Sequence, residues 1–243
     1  AIGTSSGNEF TGTLDGKDFA VDGLYQRVVD NDAPSGLLGS VVGGTVHNLK
    51  LTNVDIASST GGSTVAPFSS EILNGQLSDI SVTGTIQATG NDGAIYTSGF
   101  AGLVAVSTVS RVSVNVAIVN NSVDDDDEIG KGAWSAGLAL VLQMSTVTDS
   151  YTTGTIAGNF PAGGTAMYAG GFAGQIMMGS VSNSYSSMSI SITRNPSLAP
   201  AIMVVGGFTA FVAAADMSNN FATGQQSISV GSMVADYRGG LVG

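Results

Sequence analysis

Cysteine is absent from the 243 residues of this chain, and histidine and tryptophan each occur once. Without cysteine there is no disulfide, no thiolate metal site and no cysteine nucleophile. Basic residues number only 7 against 18 acidic ones, for a formal net charge of −11. That balance disfavours nucleic acid and anionic membrane surfaces as partners, because lysine and arginine hold both. Apolar residues make up 43 % of the chain, yet no apolar run reaches the ~18 residues of a membrane-spanning helix, so no membrane insertion is expected. No stretch of ten residues carries helical periodicity. The start at Ala1 shows no charged-then-apolar signal segment, which implies that such a segment has been removed or lies outside this sequence. Absent cysteine with scarce lysine and arginine fits an exported protein better than a cytosolic enzyme.

Glycine is plentiful, at 35 residues, and it is placed periodically. A four-residue pattern recurs as Gly36-Leu37-Leu38-Gly39, Gly99-Phe100-Ala101-Gly102, Gly171-Phe172-Ala173-Gly174 and Gly240-Leu241-Val242-Gly243, with degenerate copies at Pro67, Gly137 and Gly207. Intervals between the seven starts are 31, 32, 38, 34, 36 and 33 residues. A period of this size marks stacked units that each contact only their neighbours. Five residues after each start stands an aliphatic: Val41, Ile72, Val104, Leu142, Ile176 and Val212. Ten residues after it come Val46, Leu77, Val109, Val147, Val181 and Met217. The position three after each start is small in Gly39, Ser70, Gly102, Gly174 and Ala210, and Leu140 breaks that rule.

Alternation with a period of two argues strand. Two residues past the second aliphatic stand Asn48, Asp79, Arg111, Asp149, Asn183 and Asn219, mostly types that favour turns. A second short strand follows, as in Ile80-Ser81-Val82. In the later copies its large residue falls one step later, at Tyr151, Tyr185 and Phe221. A one-residue offset flips the faces of a strand unless a bulge absorbs it, so an irregularity is expected near Asp149, Asn183 and Asn219.

With these residues in hand, the chain resembles the GLUG-motif repeats of bacterial surface and secreted proteins, among them large adhesins and some immunoglobulin-A-cleaving proteases. Phe10-Thr11-Gly12-Thr13-Leu14-Asp15-Gly16, followed by Gly23-Leu24-Tyr25, is similar to the coil that often precedes the first copy. Thr45-Val46-His47-Asn48-Leu49 and Ser180-Val181-Ser182-Asn183-Ser184-Tyr185 match the second half of the motif. The resemblance spans residues 9–243 and implies an elongated right-handed parallel β-helix rather than any one reaction. Such a fold suits the composition: short aliphatics fill a narrow core, and glycine permits tight corners. The expected architecture is one all-β solenoid domain of about seven to eight coils with loop excursions, the N-terminal coil occupying residues 9–35. Strand stacking at about 4.8 Å would make that rod on the order of 35 Å long.

Candidate chemistry is sparse. His47 lies on an outward step with no neighbouring histidine, cysteine or glutamate, so it reads as a solvated strand residue rather than a base. Asp79 and Arg111 hold equivalent places on successive coils and are expected to pair on the surface, with little energetic consequence. No clustered acid–base groove is legible, so no enzyme is expected. A carbohydrate-active β-helix enzyme is the alternative of another class. Asp124, Asp125, Asp126, Asp127 and Glu128 fall in the longest interval and mark a looped excursion. One reading of that run is a Ca²⁺ site, since Ca²⁺ takes about six to eight oxygen ligands. The other is a hydrated acidic loop, because the spacing and central glycine of a calcium loop are missing.

Further excursions are expected at Ser58–Ser63, Gly90–Ile95, Gly158–Tyr168 and Arg194–Pro200, clustered on one flank. Trp134 follows the acidic run, and Tyr96 and Tyr168 precede neighbouring starts. Together they are a candidate glycan-binding strip; the alternative is a tryptophan that packs a loop on the coil. Thr83/Thr85, Thr146/Thr148 and Thr153/Thr155 do not recur on every coil, which argues against an ice-binding face. Residue 243 closes a fresh opening with no cap. Three expectations follow: a segment of a longer repeat protein, an end that stacks on an identical subunit to build a fibre, or a C-terminal piece that is cleaved or disordered. The function expected from all this is an extracellular, cell-surface structural and adhesive module. It would present loops to a surface glycan or protein receptor.

Overall fold

The computed structural model describes residues 2–3, 7–30, 34–90, 93, 95–121, 132–160, 166–194, 201–229 and 233–243. The acidic run Asp124–Glu128, and with it the calcium reading, lies outside the described residues. Among those described there is no helix. Their strands form three sheets, one of thirteen strands and two of six. All strand pairings are parallel. This is a parallel β-solenoid.

One coil shows the plan. Its chain runs through Tyr96–Ser98, then Ala101–Ala105, then the long strand Thr108–Asn120, and returns at Gly132–Ala136 one level further on. The start motif makes the corner between the first two segments. Stacked copies of Ala101–Ala105 form the start sheet, copies of Thr108–Asn120 the long sheet, and copies of Tyr96–Ser98 a third sheet. Six strands per short sheet span five full turns, or about 24 Å at the usual strand separation. That is fewer than the seven to eight coils the repeat starts imply. The difference arises at the ends, where the opening coil contributes strands only to the long sheet and residues 240–243 only an isolated bridge, Thr209↔Val242.

Inward positions are those the repeat marks. Val41, Ile72, Val104, Leu142 and Ile176 are buried, as are Val46, Leu77, Val109, Val147 and Val181; in the last coil Val212 and Met217 are only partly so. The apolar residue that follows each starting position stacks along the axis. Phe68 lies 4.6 Å from Phe100 and Phe172 4.5 Å from Phe208, ring centre to ring centre, with Leu138 on the coil between the two pairs.

Both bends around the long strand's first segment use left-handed backbone. Asn48, Asp79, Arg111, Asp149, Asn183 and Asn219 all have φ between 51° and 57°. The expected irregularity at the last three is therefore present, but it is a corner common to every coil and absorbs no offset. Tyr151, Tyr185 and Phe221 accordingly turn outward and stack on one another at 5.0 and 5.1 Å. Their inward places go to Ser150, Ser184 and Asn220. Each of these accepts a hydrogen bond from the backbone N–H one coil earlier: Ser150 Oγ from Val112 N at 3.1 Å, Ser184 Oγ from Ser150 N at 3.2 Å and Asn220 Oδ1 from Ser184 N at 3.0 Å.

The other bend falls seven residues after each start, at Gly43, Asn74, Val106, Met144, Met178 and Ala214, all with positive φ. Glycine and asparagine tolerate this region, whereas a β-branched residue is an outlier there. Val106, at φ 52°, is also exposed. Val106→Asn is therefore expected to raise stability by about 1 kcal/mol, the cost of the left-handed region for an ordinary side chain. The midpoint of urea unfolding should rise, and an unchanged midpoint would mean that the corner holds no strain.

Candidate ligand-binding groove

Tyr96 and Tyr168, expected in loops before neighbouring starts, and Trp134, expected just after the acidic loop, each lie in a strand of the third sheet. The register aligns Thr64 with Tyr96, Tyr96 with Trp134, Trp134 with Tyr168 and Tyr168 with Val204. All three aromatic side chains are half-buried. Glycine, alanine and serine make much of these short strands, so local propensity for strand is low there and pairing with the coils on either side supplies it. A buried polar cluster fixes the backbone beneath the rings. Thr97 Oγ1 and Ser135 Oγ lie 2.9 Å apart, and Asn120 Nδ2 donates to Ile95 O at 2.8 Å and to Trp134 O at 3.4 Å.

The three rings do not form one continuous strip. Trp134 and Tyr168 stack at 4.0 Å with planes 20° apart. Trp134 reaches toward that coil because Gly174 has no side chain; a Cβ there would stand 3.3 Å from Trp134 Cε3. Thr64 likewise leans over Gly102, whose Cβ would lie 2.5 Å from Thr64 Cγ2. The coil between them carries Leu140 at the equivalent place, so Tyr96 meets an isobutyl group where its neighbours meet glycine. Although Tyr96 and Trp134 are partners in register, no ring contact joins them. The aromatic ladder opens at this point.

The opening is a groove of about 310 Å³ between the third sheet and the start sheet. Tyr96 and Trp134 form one wall, Leu140 is part of the floor, and Leu103, Val141 and Gln175 border the other side. Tyr168 supports Trp134 from behind and does not line it. Thr64 also lines the groove. Its hydroxyl, the Tyr96 hydroxyl, the Trp134 indole N–H and the Gln175 amide have no hydrogen-bond partner in the protein among the described residues. The site thus joins apolar ring surface to four free polar tips, with no charged side chain in its lining. Of these residues the sequence marked only the aromatics as ligand-binding candidates, while Ser70 and Gly102 showed as small positions of the repeat. Leu140 was visible as the exception among small residues, whereas Gln175 and Thr64 gave no signal.

Other candidates assemble less. Arg111 pairs with Asp79 through two contacts of 2.6 and 2.7 Å, as expected from their places in the repeat. The Arg111 guanidinium holds the Asp79 carboxyl below its usual range. A hollow of about 240 Å³ beside Arg111 on the long sheet therefore offers a guanidinium already engaged. His47 Nδ1 lies 3.4 Å from Asp15 and 2.9 Å from the Asn48 amide. Ser78 is the strand partner of His47, but no hydrogen bond joins their side chains. No group of three histidine, aspartate or glutamate side chains gathers among the described residues. On the long sheet's outer face, Thr83 and Thr153 share one row and Thr85 and Thr155 the next, with Asn115 and Ala117 interrupting both. No protein-family model matches the chain, and no curated protein is detectably similar to it. The GLUG resemblance rests on the residues that carry it.

Proposed function

We propose that this β-solenoid is a non-enzymatic, extracellular adhesive module that binds glycans in the groove walled by Tyr96 and Trp134. The carrying observation is that groove: ring surface for the C–H face of a sugar, bordered by polar tips left free to meet hydroxyl groups. Its volume suits one or two pyranose rings rather than a polymer cross-section, so each module holds its ligand weakly. Affinity at a cell surface then comes from many copies acting together. Absent cysteine and scarce lysine and arginine agree with a place outside a bacterial cell. The stacked coils supply a stiff support for the site.

Trp134 is the only tryptophan, so its fluorescence reports occupancy of the groove directly. Titration with a panel of hexaoses of glucan, mannan, galactan and chitin is expected to shift its emission for at least one member. Trp134→Ala should weaken that binding, measured by calorimetry, by at least about thirtyfold, as for a central aromatic anchor. An unchanged affinity would remove the groove from the function.

A further inference from the structure

The groove also specifies the charge of what it holds, an inference that rests on the glycan-binding reading above. Glu71 stands on the outer row of the start sheet, beside the groove. The register runs Glu71 to Leu103, Leu103 to Val141 and Val141 to Gln175, and the last three all line the groove. Ser70, the residue before Glu71, lines it too. Glu71 is half-buried and makes no ion pair among the described residues. Among the described residues its carboxylate is therefore a negative charge at the groove's edge with no ion-pair partner.

Among the described side chains, the positive charges lie elsewhere. Of the basic side chains described, Arg27, Lys50 and Arg111 belong to the long sheet, and Lys17 to a turn in that sheet's first layer. Arg27 and Arg111 are further committed to Asp55 and Asp79. None of these four stands on the two sheets that form the groove, and Arg238 belongs to the last strand of the third sheet, Met233–Gly239, three layers beyond Trp134. Proteins that take uronate, sialylated or sulfated glycans hold the anion with arginine or lysine, often bidentately. Here the lining offers only neutral donors and acceptors, a carboxylate stands beside it, and the chain carries −11 overall.

We infer that the ligand is an uncharged pyranoside and that Glu71 is a specificity residue that turns away its acidic counterparts. The free indole N–H, the hydroxyl of Tyr96 and the Gln175 amide bond sugar hydroxyl groups, while the carboxylate repels any negative group presented at the same edge.

The test compares each neutral hexaose that binds with the same oligosaccharide oxidised at C6 to the uronate, by calorimetry at low salt. The wild-type protein is expected to bind the uronate about tenfold more weakly, the factor a like charge imposes at a half-buried site. Glu71→Gln should bring the two within about twofold while leaving the neutral affinity unchanged. Equal binding of both by the wild type overturns the inference while the glycan reading stands, and so does a gap that survives in Glu71→Gln. Failure of the whole neutral panel, or neutral binding undiminished in Trp134→Ala, overturns the glycan reading and this inference with it.

Discussion

Val181→Asp and Leu142→Asp are each expected to destroy the cooperative fold of the coils around them. Both side chains are 1 % exposed, and both point into a core lined by aliphatic residues of the coils above and below. An aspartate at either place loses the transfer energy of the native side chain, about 1.5–3 kcal/mol. It also leaves a charge without a partner, which costs about 3–5 kcal/mol more. The sum rivals the whole stability of an ordinary domain, about 5–15 kcal/mol. Because each coil contacts only its neighbours, the damage should begin locally, with hydrogen exchange accelerating first in the strands on either side. Thr155→Asp is the matched control: Thr155 sits on the exposed face of the long sheet, and its replacement should shift stability by no more than about 0.5 kcal/mol. A Val181→Asp protein that melts like the wild type would show that this position does not face inward.

Gly171→Ala is expected to cost at least about 3 kcal/mol, the upper end of what one inserted methyl group does to a packed site. For a chain of this length that is a fall in Tm of roughly 6–12 °C. The reason is the stack of backbones at the start corner. A Cβ on Gly99 would collide with the carbonyl oxygen of Gly137, one on Gly137 with that of Gly171, one on Gly171 with that of Gly207 and one on Gly207 with that of Gly240. None of these four glycines has a positive φ, so freedom of backbone is not what the corner needs. It needs the absence of a side chain, because the colliding atom is the rigid backbone of the next coil. Gly12→Ala makes the contrast, since its nearest neighbour is the Phe10 ring at 3.8 Å. That substitution should be nearly neutral. If both variants melted alike, close approach of the coils would not be the reason for the motif's leading glycine.

The same close stacking shapes the groove. Corners that admit no side chain keep successive coils in register, and that register sets Tyr96, Trp134 and Tyr168 one above another. What breaks the monotony is a single larger residue, Leu140, where adjacent coils carry glycine. The groove opens where one repeat departs from the others.

Much of the architecture was legible in the chain itself. The start motif and the aliphatics five and ten residues beyond it marked strands, corners and inward faces, because a solenoid imposes the same local environment on every copy. The pairing of Asp79 with Arg111 followed from equal places on successive coils for the same reason. Tertiary structure decided the rest. The third sheet was hidden in segments such as Tyr96-Thr97-Ser98, whose strand character comes from hydrogen bonds to neighbouring coils and not from their own preference. The outward turn of Tyr151, Tyr185 and Phe221 was undecidable locally, since serine and asparagine fit the core only where a backbone N–H of the previous coil needs their oxygen. The groove, finally, depends on which way Trp134 leans. That is settled by a glycine 40 residues along the chain, a distance across which sequence proximity carries no information and only the coiling of the chain brings atoms into contact.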